Sequence, residues 1–137
     1  MCIRDSYSAL GESDEKMLLA RAIQMFMPGK PQVWYLDLFA GKNDHEAVRR
    51  AGESGHKEIN RTNLSTDQIA EDLKKDVVQK QLALIRMRNT HKAFSEGAEV
   101  AISGGESSLQ IRWEYNSAFA TLNVNFESGT YTIVESR

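Results

Sequence analysis

The sequence predicts an α/β portion, built as helix, buried strand and helix, followed by a small antiparallel β domain. Three observations carry this. The turn Pro28-Gly29-Lys30-Pro31 separates one strongly apolar segment from a second, Val33 to Phe39, which is interrupted only by Asp37. A later stretch, about Thr66 to Lys92, repeats its apolar residues at helical spacing. Beyond Gly97 the period of the apolar residues changes to two. The chain has 137 residues, a net charge of −2 and 41% hydrophobic residues, an ordinary soluble composition. There is no basic excess to suggest nucleic acid and no apolar run long enough to span a membrane, so neither is an expected partner. The single cysteine, Cys2, cannot form an internal disulfide, which is compatible with an intracellular chain, and a cytoplasmic location is expected.

The first helix opens at Ser13-Asp14-Glu15. Ser13 can cap free amide groups, and two carboxylates in the first turn suit the positive end of the helix dipole. Met17, Leu18, Ala20, Ala22, Ile23, Met25, Phe26 and Met27 leave few polar positions, so this helix needs cover on most sides. Pro28 and Gly29 stop it. Val33 to Phe39, with its Val, Trp, Tyr and Phe, then suits a strand buried on both faces. One strand cannot form a parallel sheet, and the chain has no second run like it. Its sheet neighbours are therefore expected upstream of Tyr7.

From Lys42 to Thr66 the chain is charged and carries glycines, with Glu46 to Arg50 as a short helical turn. Ser65-Thr66-Asp67-Gln68 reads as a capping box. In the helix expected after it, about Thr66 to Lys92, Ile69, Leu73, Val77 and Leu84 form one stripe and Val78, Leu82 and Ile85 another. Two adjoining stripes suggest a helix held between two bodies. Gly97 marks the boundary of a meander with one wet face. Val100 and Ile102 alternate with polar or small neighbours, as do Leu109 to Tyr115, Ala120 to Phe126 and Tyr131 with Ile133. Gly104-Gly105, Asn116-Ser117 and Ser128-Gly129 are the turns between them.

The pattern Pro28-Gly29-x-Pro31-x-Val33-x-Tyr35 resembles the end of the catalytic barrel in the alpha-amylase superfamily, glycoside hydrolase family 13. Leu38-Phe39-Ala40-Gly41-Lys42-Asn43-Asp44 and Glu58-Ile59-Asn60-Arg61 resemble the sucrose phosphorylase group within it. Tyr7 to Gly11 and Ala20 to Gln24 fit the same group, and the resemblance runs from Tyr7 to about Phe94. It implies that residues 7–95 are the last helix-strand-helix portion of a (β/α)8 barrel and 96–137 the β domain that follows. Residues 1–6, Met-Cys-Ile-Arg-Asp-Ser, resemble a translated sequencing adapter and are set aside, Cys2 with them.

The same resemblance implies an enzyme that transfers a glucosyl group from sucrose to phosphate with retention, giving α-glucose 1-phosphate and fructose and needing no cofactor or metal. The partners it implies are sucrose, or a similar α-glucoside, and inorganic phosphate. Relatives acting on glucosylglycerate or sucrose 6-phosphate, or a transglucosidase or hydrolase, are the alternatives. The nucleophilic aspartate, the acid–base glutamate and the phosphate-contacting loop of that group belong to earlier parts of a barrel. No catalytic residue is therefore assigned in this chain, which is expected to be an inactive fragment. A stand-alone sugar-binding β module with a helical arm is the alternative from another class.

Arg61 is the one candidate binding residue. The resemblance places the arginine of Ile-Asn-Arg in the pocket for the glucosyl ring, and a planar fork of donors suits a carboxylate and sugar hydroxyls together. Without the motif, Arg61 reads as a surface arginine in a charged loop. Asp37 needs a partner if buried, with Lys42 or a barrel residue as candidates. Asn43 and Asp44 read as loop-shaping or capping residues. His45, His56 and His91 lack metal-ligand spacing, nothing pairs Glu46 with Glu58 as acid and base, and Trp113 and Tyr115 read as core.

Overall fold

The computed structural model describes residues 6–136; the expectation for residues 1–6, Cys2 included, falls outside them except at Ser6. The helical part is Ser6–Ala9 (α1), Asp14–Phe26 (α2), Tyr35–Leu38 (α3), His45–Ala51 (α4), a 3-10 segment Gly52–Asn60, Thr66–Asp72 (α5), Asp76–Thr90 (α6) and a 3-10 turn Lys92–Phe94. A four-stranded antiparallel sheet follows: Glu99–Gly104 (β1), Ser108–Tyr115 (β2), Ala118–Asn125 (β3) and Thr130–Glu135 (β4), in the order β1-β2-β3-β4. The chain divides into two compact units. One holds the described residues up to Met17 and Gln32–Lys80; the other holds Leu18–Pro31 and the described residues from Gln81 onward.

In the second unit the meander forms as its period of two requires. Ile111 pairs with Leu122, and Trp113 with Ala120, so one face collects the apolar side chains. Ile111, Ala120 and Leu122 are fully buried there. The β2–β3 hairpin turns through Asn116 and Ser117, with Asn116 at φ 53°, the left-handed conformation that two-residue hairpins favour. The later residues of α2 complete this core. The Trp113 indole Nε1 donates to the carbonyl oxygen of Phe26 at 2.6 Å. Phe94 stands edge-on to Phe26, with centroids 5.3 Å apart, and packs against Trp113 at 5.4 Å. Arg88 lies over both Phe94 and Trp113 and donates to the Gly29 carbonyl at 3.0 Å. Burial pulls its pKa below the ordinary arginine value.

Both capping serines named from the sequence act as caps. Ser13 caps α2 by accepting from the Lys16 amide at 3.3 Å. Ser65 caps α5 by accepting from the Gln68 amide at 3.1 Å. Among the described residues Gln68 does not complete a reciprocal capping box; its side-chain amide donates to Asp72 at 2.9 Å. The single helix expected over about Thr66 to Lys92 is two helices, broken after Asp72. Asp72 is buried and takes Lys75 Nζ at 2.8 Å, while the Gln79 side chain captures the freed Leu73 carbonyl at 2.5 Å. Leu73, which the stripe placed on the apolar face, is exposed.

The strand expected over Val33 to Phe39 does not form. Trp34 is extended, with φ −73° and ψ 140°, but Tyr35–Leu38 closes into the helical turn α3. The reason lies in the backbone. A strand leaves its N–H and C=O groups for neighbouring strands, and the described residues of this unit offer none. A local turn satisfies them instead. Leu38 N–H donates to Trp34 O at 3.0 Å and Phe39 N–H to Tyr35 O at 3.2 Å. Gly41 N–H donates to Leu36 O at 2.8 Å and Ala40 N–H to Asp37 O at 3.1 Å, with Ala40 at φ 50°. That pair of bonds around a left-handed residue is a Schellman closure.

Candidate functional site

The residues around Arg61 all lie in the first unit, and α3 positions them. Trp34 and Tyr35 sit at its start, one as the residue before the helix and one as its first residue. The Trp34 indole Nε1 donates to the carbonyl oxygen of Asn60 at 2.9 Å. The Tyr35 hydroxyl donates to the carbonyl oxygen of Thr62 at 2.8 Å. These two carbonyls belong to the residues on either side of Arg61. A third bond, from the Asp44 amide to the Ile59 carbonyl at 2.8 Å, holds the chain just before them. Ile59 itself is buried.

Arg61 is fastened at its root and open at its head. Its side chain is 52% exposed, and its ion pair is with Glu58 at 3.5 Å, one turn back along the 3-10 segment. A pair this exposed contributes about 0–1 kcal/mol and leaves the guanidinium available to a stronger acceptor. The two rings that hold the segment are half-exposed, Trp34 at 45% and Tyr35 at 37%, and they touch with centroids 5.0 Å apart.

The remaining residues named from sequence take structural places. Asp37 is buried and accepts from the amide and the hydroxyl of Ser6 at 2.7 and 3.2 Å. The expected partner Lys42 binds Glu12 at 2.5 Å instead. Asn43 donates its amide to the Ser8 hydroxyl at 2.9 Å, and Asp44 caps α4 by accepting from the Ala47 amide at 2.8 Å. Lys42-Asn43-Asp44 is thus a fastening for the loop, as its turn chemistry indicates. Glu46 faces Arg49 and Arg50, each at 3.8 Å, and Glu58 faces Arg61, so the two carboxylates have different partners. His91 accepts from the Ala93 amide on Nδ1 at 3.2 Å, which leaves Nε2 to donate to the Ser136 carbonyl at 3.0 Å. Trp113 is core. Sequence reasoning missed the clamp that Trp34 and Tyr35 form on the Arg61 segment. The available signal was that both rings carry a polar tip, which an apolar strand does not need.

No family model matches the chain. It is 52% identical over 127 residues to the sucrose 6(F)-phosphate phosphorylase of Ilumatobacter coccineus, covering 93% of this chain and 24% of that protein. It is 42% identical over 130 residues to the sucrose phosphorylase of Agrobacterium vitis, covering 95% of this chain and 26% of that protein. Its fold superposes on the crystal structure of the sucrose 6F-phosphate phosphorylase from Thermoanaerobacter thermosaccharolyticum with a TM-score of 0.87, at 40% identity over 96% of this chain and 26% of that one. The chain is similar, in sequence and in fold, to the carboxyl-terminal region of the sucrose phosphorylase group. It spans about a quarter of the length of the curated relatives it matches. The helical part and the four-stranded sheet are the features shared with that region.

Proposed function

We propose that this chain is the carboxyl-terminal portion of a phosphorylase that transfers a glucosyl group from sucrose, or a sucrose phosphate, to inorganic phosphate. In this reading residues 7–95 complete the catalytic barrel and residues 96–137 form the β domain after it. The nucleophilic and acid–base carboxylates are supplied by the rest of such a protein, and Arg61 is this portion's contribution to the glucosyl pocket. The observation that carries the reading is the Arg61 segment: its backbone is fastened on both sides while its guanidinium stays half-exposed. A fixed root and a free planar fork suit the hydroxyls of a sugar held together with a carboxylate from elsewhere in the barrel. The match to Ilumatobacter coccineus and Agrobacterium vitis phosphorylases over nearly the whole chain supports the reaction class.

The test is a graft. Residues 7–137 replace the matching quarter of the Ilumatobacter coccineus relative, and release of glucose 1-phosphate is followed with phosphate and either sucrose or sucrose 6(F)-phosphate. The reading expects phosphorolysis of at least one of the two. A folded graft that releases no glucose 1-phosphate from either would reject it.

A further inference from the structure

We propose that Trp34 and Tyr35 are positioning residues for Arg61: by holding the carbonyls on both sides of it, they aim its guanidinium. The inference rests on the glucosyl-binding role of Arg61 and extends it to two residues that would not touch the sugar themselves. Its ground is the juxtaposition of three consecutive residues, Asn60, Arg61 and Thr62, with two consecutive donors. The indole takes the Asn60 carbonyl at 2.9 Å and the phenol takes the Thr62 carbonyl at 2.8 Å. Successive residues at the head of a helical turn project about 100° apart, so neighbouring rings can reach carbonyls that lie two residues apart. The rings also brace each other at 5.0 Å.

Besides the two rings, the Arg61 amide donates to the Glu58 carbonyl at 3.3 Å and the Asp44 amide to the Ile59 carbonyl at 2.8 Å, both on the amino-terminal side of the segment. Thr62 has a buried hydroxyl with no hydrogen-bond partner among the described residues. Arg61 itself is tied through its side chain to Glu58, at 3.5 Å and largely in solvent. Arginine carries about 2 kcal/mol of rotamer entropy, and the gain from its rigid fork depends on how well its root is placed. A displacement of about 1 Å in such a group can cost about a hundredfold in rate. The rings themselves are fixed from below, because α3 ends in the Schellman closure at Ala40 and Gly41.

The experiment is a double-mutant cycle in the grafted enzyme. Tyr35→Phe keeps the ring and removes only a hydroxyl at an exposed hydrogen bond, so it isolates the bond to Thr62. Trp34→Phe removes the bond to Asn60. Each is expected to lower kcat/KM for the glucosyl donor about tenfold, with the KM for phosphate unchanged, and to have less than a twofold effect in an Arg61→Ala background. Equal losses with and without Arg61, or a lowered melting temperature with unchanged kcat/KM, would reduce the two rings to scaffolding and overturn the inference. If Trp34→Phe does not fold, Tyr35→Phe alone decides. If Arg61→Ala itself turns over normally, the binding role of Arg61 fails and the inference falls with it, an outcome distinct from additivity.

Discussion

Tyr7 shows how one side chain in the first unit sets a pH limit. Tyr7 is buried, and its hydroxyl donates to Asp14 at 2.9 Å. Burial, then that bond and the nearby carboxylates of Asp14, Glu12 and Glu15, push its pKa up to about 12, against an ordinary value near 10. The folded state therefore favours the neutral phenol. Its contribution to stability is fully present below about pH 10 and is lost between about pH 10 and 12, where the unfolded chain ionises first. Melting temperatures taken across that interval should fall more steeply for the native chain than for Tyr7→Phe; parallel curves would mean that Tyr7 is not so held. Two other buried side chains reach distant partners. Arg21 donates from Nε to Gln81 at 2.9 Å and also binds Gln24. Trp113 spends its one donor on Phe26. These pairs follow from the rule that buried polar atoms are hydrogen-bonded, but neither partner could be named from the sequence, since the partners lie 60 and 87 positions apart.

At the scale of elements, local chemistry was legible and pairing was not. Ser13, Asp44 and Ser65 all act as caps, because a cap depends only on residues three or four positions away. The meander was legible for the same reason: alternation and turn residues are written in neighbouring positions. The composition of Val33 to Phe39 suits a strand, yet a strand is made by its neighbours, and Leu36 to Gly41 closes on itself instead. The break between α5 and α6 is not legible in the apolar spacing, which continues across it; at the break Asp72 pairs with Lys75 and the Gln79 side chain takes the Leu73 carbonyl. The Arg61 segment was found through its motif, and its supporting rings were not, since their polar tips reach 26 and 27 residues along the chain. The closure of α3 makes a prediction of its own. A Cβ at Gly41 would lie 2.3 Å from Leu36 Cδ1 and 2.6 Å from Cγ, and Leu36 is 1% exposed. Gly41→Ala should destabilise the chain by about 1–3 kcal/mol in urea unfolding, the usual cost of overpacking. An unchanged midpoint would show that Leu36 yields freely.

For the whole molecule, each unit has a core of its own. Leu36, Ile59, Val77 and Val78 are buried in the first, and Phe26, Ile111, Trp113 and Leu122 in the second. The similarity to phosphorylases covers nearly all of this chain and about a quarter of theirs. The chemistry proposed for such a protein is therefore divided between this portion and the rest of it, with Arg61 as the contribution proposed for this portion. Among the described residues no helix is long and apolar enough to cross a membrane. The most direct measurement is kcat/KM for glucose 1-phosphate release by the grafted enzyme with and without Arg61→Ala. Losing two hydrogen bonds to a charged group removes about 3 kcal/mol, so kcat/KM should fall about a hundredfold with the fold intact by circular dichroism. Turnover within a few-fold of the unaltered graft would contradict it, and would leave Arg61 a surface arginine paired with Glu58.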